Sequence, residues 1–283
     1  MLKQELSFDD KTIKTEDLLV ACSTSIGTRE YQQDYALVPS FAAIESGRYL
    51  CVLCDGMGGM DQGELASKMA AEYLEKEFSA ADSDIDYFDF LTAKITEVNE
   101  LIVHLEDEDG KTVETGSTMI AIIVDGDMLY WASVGDSRIY LFRNEHLLQL
   151  TTDQNYGSIL LNQLAQGQIT IEEANADPLK DALTSYIGME KDPEINISQE
   201  AFQLQDGDII LMCSDGLYRS LEDVETSRVL SEHEKNIPLA AYMLIQAVTE
   251  KDYKNQDNTT VILAKYSDKN SSKENEKNGY EEM

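Results

Sequence analysis

Residues 48–59, RYLCVLCDGMGG, run from an apolar stretch into an aspartate flanked by glycines. The apolar part is short and β-prone, which reads as a buried strand, and Asp55-Gly56 closes it. Two more runs end the same way, YWASV before Gly135-Asp136 and IILMCS before Asp215-Gly216. Asp257-Asn258 opens the last apolar run, TTVILAKY, and Asp34 immediately precedes YALV. One Asp-Gly after a strand is ordinary turn chemistry. Five carboxylates at strand ends are a different matter. They are fixed by rigid elements yet reach solvent, and where they converge they repel unless a cation neutralises them. Oxygen donors without His or Cys select hard ions such as Mg²⁺ or Mn²⁺.

Working outward, runs at 18–26, 35–41, 48–54, 118–125, 128–134, 138–142, 196–204, 208–213 and 259–266 read as strands. Asp125-Gly126 and Asn144-Glu145 lie between such runs as hairpin turns. Helical spacing appears at 64–79, with Leu65, Met69 and Tyr73 four apart, and at 87–107, with Phe88, Leu91, Ile95, Val98, Ile102 and Leu105 on one stripe. Two more helices are expected at 222–232 and 238–251, the second with Pro238 in its first turn. Helices grouped between blocks of antiparallel strands predict an α+β fold with helices outside sheets. Residues 153–195, with a helical patch near 158–166, are too long for an ordinary loop and read as an insertion over one end of the core. Residues 267–283 lack apolar periodicity and read as a disordered tail. No internal repeat is found.

The 283 residues carry 22 Lys+Arg against 54 Asp+Glu, a formal charge of −32, and 42% are apolar. That is enough for a core, and too acidic a surface for phosphate backbones or anionic headgroups, so nucleic-acid and membrane partners are not expected. No apolar run approaches a membrane span and Met1–Asp10 has no leader pattern, which points to a cytoplasmic protein. Cys22, Cys51, Cys54 and Cys213 sit in apolar runs as core thiols do. The Cys51/Cys54 pair falls on opposite faces of a strand and has no second pair to complete a zinc site. Asp55-Gly-Met-Gly-Gly59 lacks the Lys-Ser/Thr of a Walker loop and the spacing of a dinucleotide fingerprint. Arg29, five residues before Asp34, is placed either to grip a phosphoryl group bidentately or to form a structural ion pair; for Arg138 the structural role is favoured.

Taken in order, TREYQQD, CDGMGGMDQGELAS, GSTM, VGDSR, CSDGL and DNTT resemble the metal-dependent protein phosphatase (PPM) family, the type-2C serine/threonine phosphatases, in a bacterial form. The resemblance spans 20–266, leaving 1–19 as an N-terminal extension, and implies a central β-sandwich of two antiparallel sheets flanked by helix pairs (α-β-β-α). It implies two Mn²⁺ or Mg²⁺ ions held by Asp55, the Gly56 carbonyl, Asp215 and Asp257, with Asp136 matching the ligand of a third, weaker ion. Gln33 and Asp34 match an acidic pair that orients water, Arg29 matches a phosphate-binding arginine, and 153–195 corresponds to a flap. The implied reaction is hydrolysis of phosphoserine and phosphothreonine in the protein substrates of a Ser/Thr kinase, by a monomer. His104, His146 and His233 lie outside the motifs. Three positions depart from the family: Gln33 stands where Glu is usual, Met57 where many eukaryotic members have a histidine proposed as general acid, and Met60 where a histidine often follows. The competing readings are a catalytically weak or inactive binding module and a hydrolase of small phosphate esters. Retention of Asp55, Asp215 and Asp257 argues against an inactive module.

Overall fold

The structure, a computed structural model, describes residues 11–268 apart from 16, 40–46, 59–61 and 108. The chain opens with β1 (Lys11–Lys14), β2 (Leu18–Ser25), β3 (Asp34–Leu37) and β4 (Arg48–Gly58), then α1 (Gln62–Ala80) and α2 (Tyr87–Val103). Five strands follow: β5 (Thr115–Ser117), β6 (Met119–Asp125), β7 (Met128–Val134), β8 (Arg138–Arg143) and β9 (His146–Gln149). After α3 (Tyr156–Ala165) and α4 (Ile171–Ala176) come β10 (Asn196–Ile197), β11 (Phe202–Gln203) and β12 (Ile209–Cys213). The chain ends in α5 (Asp215–Tyr218), α6 (Asp223–His233), α7 (Ile237–Thr249) and β13 (Thr259–Tyr266).

One sheet runs β1-β2-β13-β12-β8-β9 and the other β10-β7-β6-β4-β3, with β11 also on β7 and β5 on β4. Every described pairing is antiparallel. Strand β4 shows why its sequence is continuously apolar. Tyr49, Cys51 and Leu53 face the layer between the sheets, with Ile120, Ile122, Ile210, Met212 and Ile262. Leu50, Val52 and Cys54 face the helices, with Ala70, Leu74, Leu91 and Ile95. A third layer packs Leu211, Cys213 and Leu263 of the other sheet against Ala240, Leu244 and Ile245 of α7. Strands covered on both faces carry no polar alternation. Three apolar layers between four structural ones are the expected α-β-β-α sandwich. All four cysteines are buried and none is in a disulfide, Cys51 and Cys54 lying in different layers.

Three local expectations shift. In α1 the stripe Leu65, Met69, Tyr73 is not the buried face: Leu65 is 48% exposed, and Ala66, Ala70, Ala71, Leu74 and Phe78 are buried instead. Helix α2 stops at Val103 rather than 107, because the Asp107 carboxylate accepts from the amides of Asp109 and Lys111 and folds a turn there. The strand expected at 196–204 is split: Asn196 pairs Ser133 and Phe202 pairs Leu129, so the segment between carries extra residues and bulges away from β7.

Residues 153–195 lie across one end of the sandwich. Asp153 binds Arg138, Asn155 reaches Asp136, and the segment returns through Ile187, which bridges to Ser117. Residues 1–10 of the N-terminal extension, Met60, 40–41 of the second expected strand and 269–283 of the tail lie outside the described residues. Among the described residues no helix is long and apolar enough to cross a membrane.

Candidate active site

Asp34 heads β3 and stands opposite Asp55 in the antiparallel register with β4. Two like charges across a strand pair are unfavourable unless something else holds them. Asp34 is 7% exposed; the Ser214 hydroxyl donates to its Oδ2 at 2.7 Å, while its Oδ1 is buried with no partner. Ser214 in turn accepts from the amide of Thr260 at 3.0 Å, so β12 and β13 both fix the carboxylate of β3. Asp55 is held through its backbone. Its amide donates to Thr118 Oγ1, and its carbonyl accepts from the Thr118 amide and the Ser117 hydroxyl. Thr118 also shares a 2.7 Å hydroxyl contact with Ser137, beside Asp136. These bonds are what the GSTM and VGDSR segments contribute.

Gly56 admits no side chain. Its amide donates to the Gln33 carbonyl at 3.0 Å, and a Cβ there would stand 2.0 Å from the Gly63 carbonyl oxygen of α1. The Ser67 hydroxyl donates to the same Gln33 carbonyl at 2.6 Å. Asn258 clamps the 26–33 loop: its Nδ2 donates to the carbonyls of Ile26 and Tyr31, and its Oδ1 accepts from the Gln33 amide. The loop thus carries Arg29 to Asp257, with Nη2 to Oδ2 at 2.6 Å. Asp215, the first residue of α5, forms an ion pair with Arg219, Oδ2 to Nε at 2.8 Å. Arg138 is engaged structurally, bidentate on Asp153, bonded to the Tyr140 hydroxyl and stacked 3.5 Å over the Tyr218 ring.

The electrostatics report one shared problem. Burial raises the Asp55 carboxyl well above the usual range, and Asp34, Asp215, Asp257 and Asp136 add repulsion in that order. Asp34 is pushed up to about 6, chiefly by burial and against the Ser214 hydrogen bond. Asp215 is pushed up to about 7, again chiefly by burial, although Arg219 opposes it. Desolvated like charges gathered at one place favour a cation beside them. Among the described residues no group of three His, Cys, Asp or Glu side chains is drawn up as a closed metal cage. The fit to a hard cation therefore lies in donor chemistry, with an all-oxygen set and an orphaned buried Oδ1 on Asp34.

All eight residues singled out from the sequence fall in this network: Asp34, Asp136, Asp215 and Asp257 around Asp55, Gly56 and Gln33 along its edge, and Arg29 on Asp257. Sequence reasoning missed the residues that hold them. Ser214, Thr118 and Asn258 lay inside quoted motifs but received no role, and Arg219 and Asp181 lay outside every motif. A cavity of about 230 Å³ opens beside Arg219, lined by Arg138, Asn155, Leu160, Lys180 and Tyr218 among others.

A model of the protein phosphatase 2C family matches residues 24–256. The serine/threonine phosphatase stp of Listeria welshimeri is 32% identical over 217 residues, 76% of this chain and 83% of that one. The solved S. agalactiae serine/threonine phosphatase has a TM-score of 0.77 at 29% identity, over 89% of this chain and 100% of that one. The catalytic domain of the serine/threonine protein phosphatase PstP, solved in complex with 2 manganese ions, has a TM-score of 0.68 at 28% identity, over 89% and 99%. With the family matched from residue 24 to 256, and the whole of a solved serine/threonine phosphatase sharing its fold, this chain belongs to the protein phosphatase 2C family.

Proposed function

We propose that this chain is an active, divalent-cation-dependent phosphoserine/phosphothreonine protein phosphatase in which Asp55, the Gly56 carbonyl, Asp215 and Asp257 hold two Mn²⁺ or Mg²⁺ ions. The observation that carries the reading is the convergence of four carboxylates from separate strands and loops on Asp55, whose carboxyl is raised first by burial and then by their repulsion. The PstP catalytic domain, which has this fold, holds 2 manganese ions, and that supports the choice of metal. Such a pair, when bound, supplies a nucleophilic water at neutral pH and offsets charge on the phosphoryl oxygens.

The chain's own residues supply the rest. Asp34, anchored through Oδ2 by Ser214, presents its free Oδ1 to orient a water and take its proton. Arg29 is 55% exposed, so it is free to turn from Asp257 and grip a phosphoryl group with two parallel N–H donors. Gln33 offers an uncharged amide at the same edge, where a carboxylate would add a sixth negative charge. No Ser, Cys or His nucleophile is needed, because phosphoryl transfer asks for positioning and charge compensation. The cysteines are buried in the apolar layers, and the Met57 thioether cannot donate a proton.

The same reading gives residues 153–195 the role of a flap over the site. It makes the protein a cytoplasmic monomer acting on the products of a Ser/Thr kinase. The test is hydrolysis of a phosphothreonine peptide with Mn²⁺, with Mg²⁺ and with chelator, beside Asp215→Ala. The expected result is turnover that needs metal and falls by more than about 100-fold in the variant, since even outer-shell partners of metal ligands cost up to that much. No turnover with either metal, from protein shown to be folded, overturns the proposal.

A further inference from the structure

Arg219 follows α5 immediately, and its side chain reaches carboxylates from three parts of the chain. Its Nε meets Asp215 Oδ2 at 2.8 Å, Nη2 meets Asp136 Oδ2 at 3.5 Å, and Nη1 meets Asp181 Oδ1 at 3.4 Å. Asp215 follows β12, Asp136 precedes β8, and Asp181 belongs to the 153–195 segment. A guanidinium presents its donors in a rigid planar fork and stays charged at every pH a protein survives. Each of its three nitrogens here faces a different carboxylate. Asp136 is nearly closed to solvent, with a side chain 5% exposed, and its Oδ2 also accepts from Asn155 Nδ2 at 3.2 Å. The neighbouring Arg138 is taken up by Asp153 and Tyr140, so Arg219 is the guanidinium that serves this carboxylate pair.

We infer that Arg219 is a built-in cation for the Asp136–Asp215 pair, standing where a third, weaker metal ion is expected and tying the 153–195 segment to those carboxylates through Asp181. Arg219 sits against Oδ2 of both carboxylates, so a third ion drawn to those two oxygens meets a positive charge at contact range, while the other oxygen of Asp215, Oδ1, is left for the proposed pair. A cation attached to the chain also does not respond to the metal concentration outside it. Arg219 is therefore a positioning residue: it sets how many ions the site takes up and holds the covering segment in register with it. The inference rests on the proposed metal-binding role of Asp55, Asp215 and Asp257.

The test is the number of Mn²⁺ ions bound per full-length chain, measured by equilibrium dialysis with free Mn²⁺ followed by electron paramagnetic resonance. Two ions are expected in the unaltered chain, a third and weaker one in Arg219→Ala, and two again in Arg219→Lys. Hydrogen exchange of the amides of 177–183 is expected to rise in Arg219→Ala and to return toward the unaltered rate in Arg219→Lys. Three ions in the unaltered chain overturn this inference alone. Two ions in an Arg219→Ala chain that melts cooperatively also overturn it. If Arg219→Ala does not fold, Arg219→Gln, which keeps most of the side-chain volume and loses the charge, takes its place: a third ion is expected there, and two ions overturn the inference. A chain that takes up no Mn²⁺ at all overturns the metal-binding reading and this inference with it.

Discussion

Asp34 is buried at the head of β3, receives one hydrogen bond from Ser214 and keeps Oδ1 without a partner, so ionising it costs more in the folded chain than in the unfolded one. Its carboxyl is pushed from 3.8 up to about 6, and Asp215 moves in the same direction, to about 7. Between about pH 4 and pH 6 the unfolded chain has released the Asp34 proton while the folded chain retains it. The stability this group contributes is therefore complete below its unfolded pKa and is lost as pH rises through the folded one. In chelator, Asp34→Asn, which keeps an acceptor for Ser214, is expected to melt higher than the unaltered chain at pH 7.5. The gap should close by about pH 3, below the unfolded pKa of 3.8, where Asp34 is neutral in both states. Thermal melts of the two chains at both pH values check it. A variant that melts lower at pH 7.5 would mean that Asp34 is already matched by a cation in the metal-free protein.

Helix α1 joins the site to the core, since Gly63 abuts Gly56 and Ser67 holds the Gln33 carbonyl. It packs on β4 through alanines, with Ala66, Ala70 and Ala71 fully buried, and that small-residue face allows the close approach. Replacing Ala70 with Leu adds methylenes where no space exists and is expected to cost about 1–3 kcal/mol. Leu65→Ala, at a position 48% exposed, should change stability by less than about 0.5 kcal/mol. Urea unfolding of both variants tests the assignment of faces, and the reverse order would restore the Leu65 stripe to the core. The same helix shows what the sequence conveys and what it hides. Strands such as β4, β6 and β13 were legible because burial on both faces leaves an unbroken apolar run. The buried face of α1 was not, since alanine contributes too little hydropathy to outvote Leu65 and Tyr73. The carboxylates of the site were legible because an Asp beside a Gly closes three apolar runs. Their supports were not: the Arg219 contact with Asp136 spans 83 residues and that between Asn258 and Tyr31 spans 227, and no local pattern announces either.

Over the whole molecule the charge of −32, from 22 Lys+Arg against 54 Asp+Glu, acts on everything that approaches. A phosphopeptide is itself an anion and enters this field at a disadvantage unless basic residues flank the phosphate. Steering of this kind changes encounter rates by about 10- to 1,000-fold at low ionic strength and fades once the Debye length falls to about 8 Å near physiological salt. For phosphothreonine peptides alike except for Lys/Arg or Asp/Glu flanks, kcat/KM is expected to favour the basic peptide by about tenfold or more at low salt. The preference should shrink steadily as salt is added, while kcat for each peptide stays nearly constant, because long-range attraction changes arrival and not the chemical step. Ions bound at the site would reduce the local negative charge by a fixed amount. They would leave the surface field, and so the salt dependence, in place. Measuring kcat and KM for both peptides across a salt series at saturating Mn²⁺ separates the two contributions. Equal kcat/KM for the two peptides at every salt concentration would show that the acidic surface takes no part in choosing substrates.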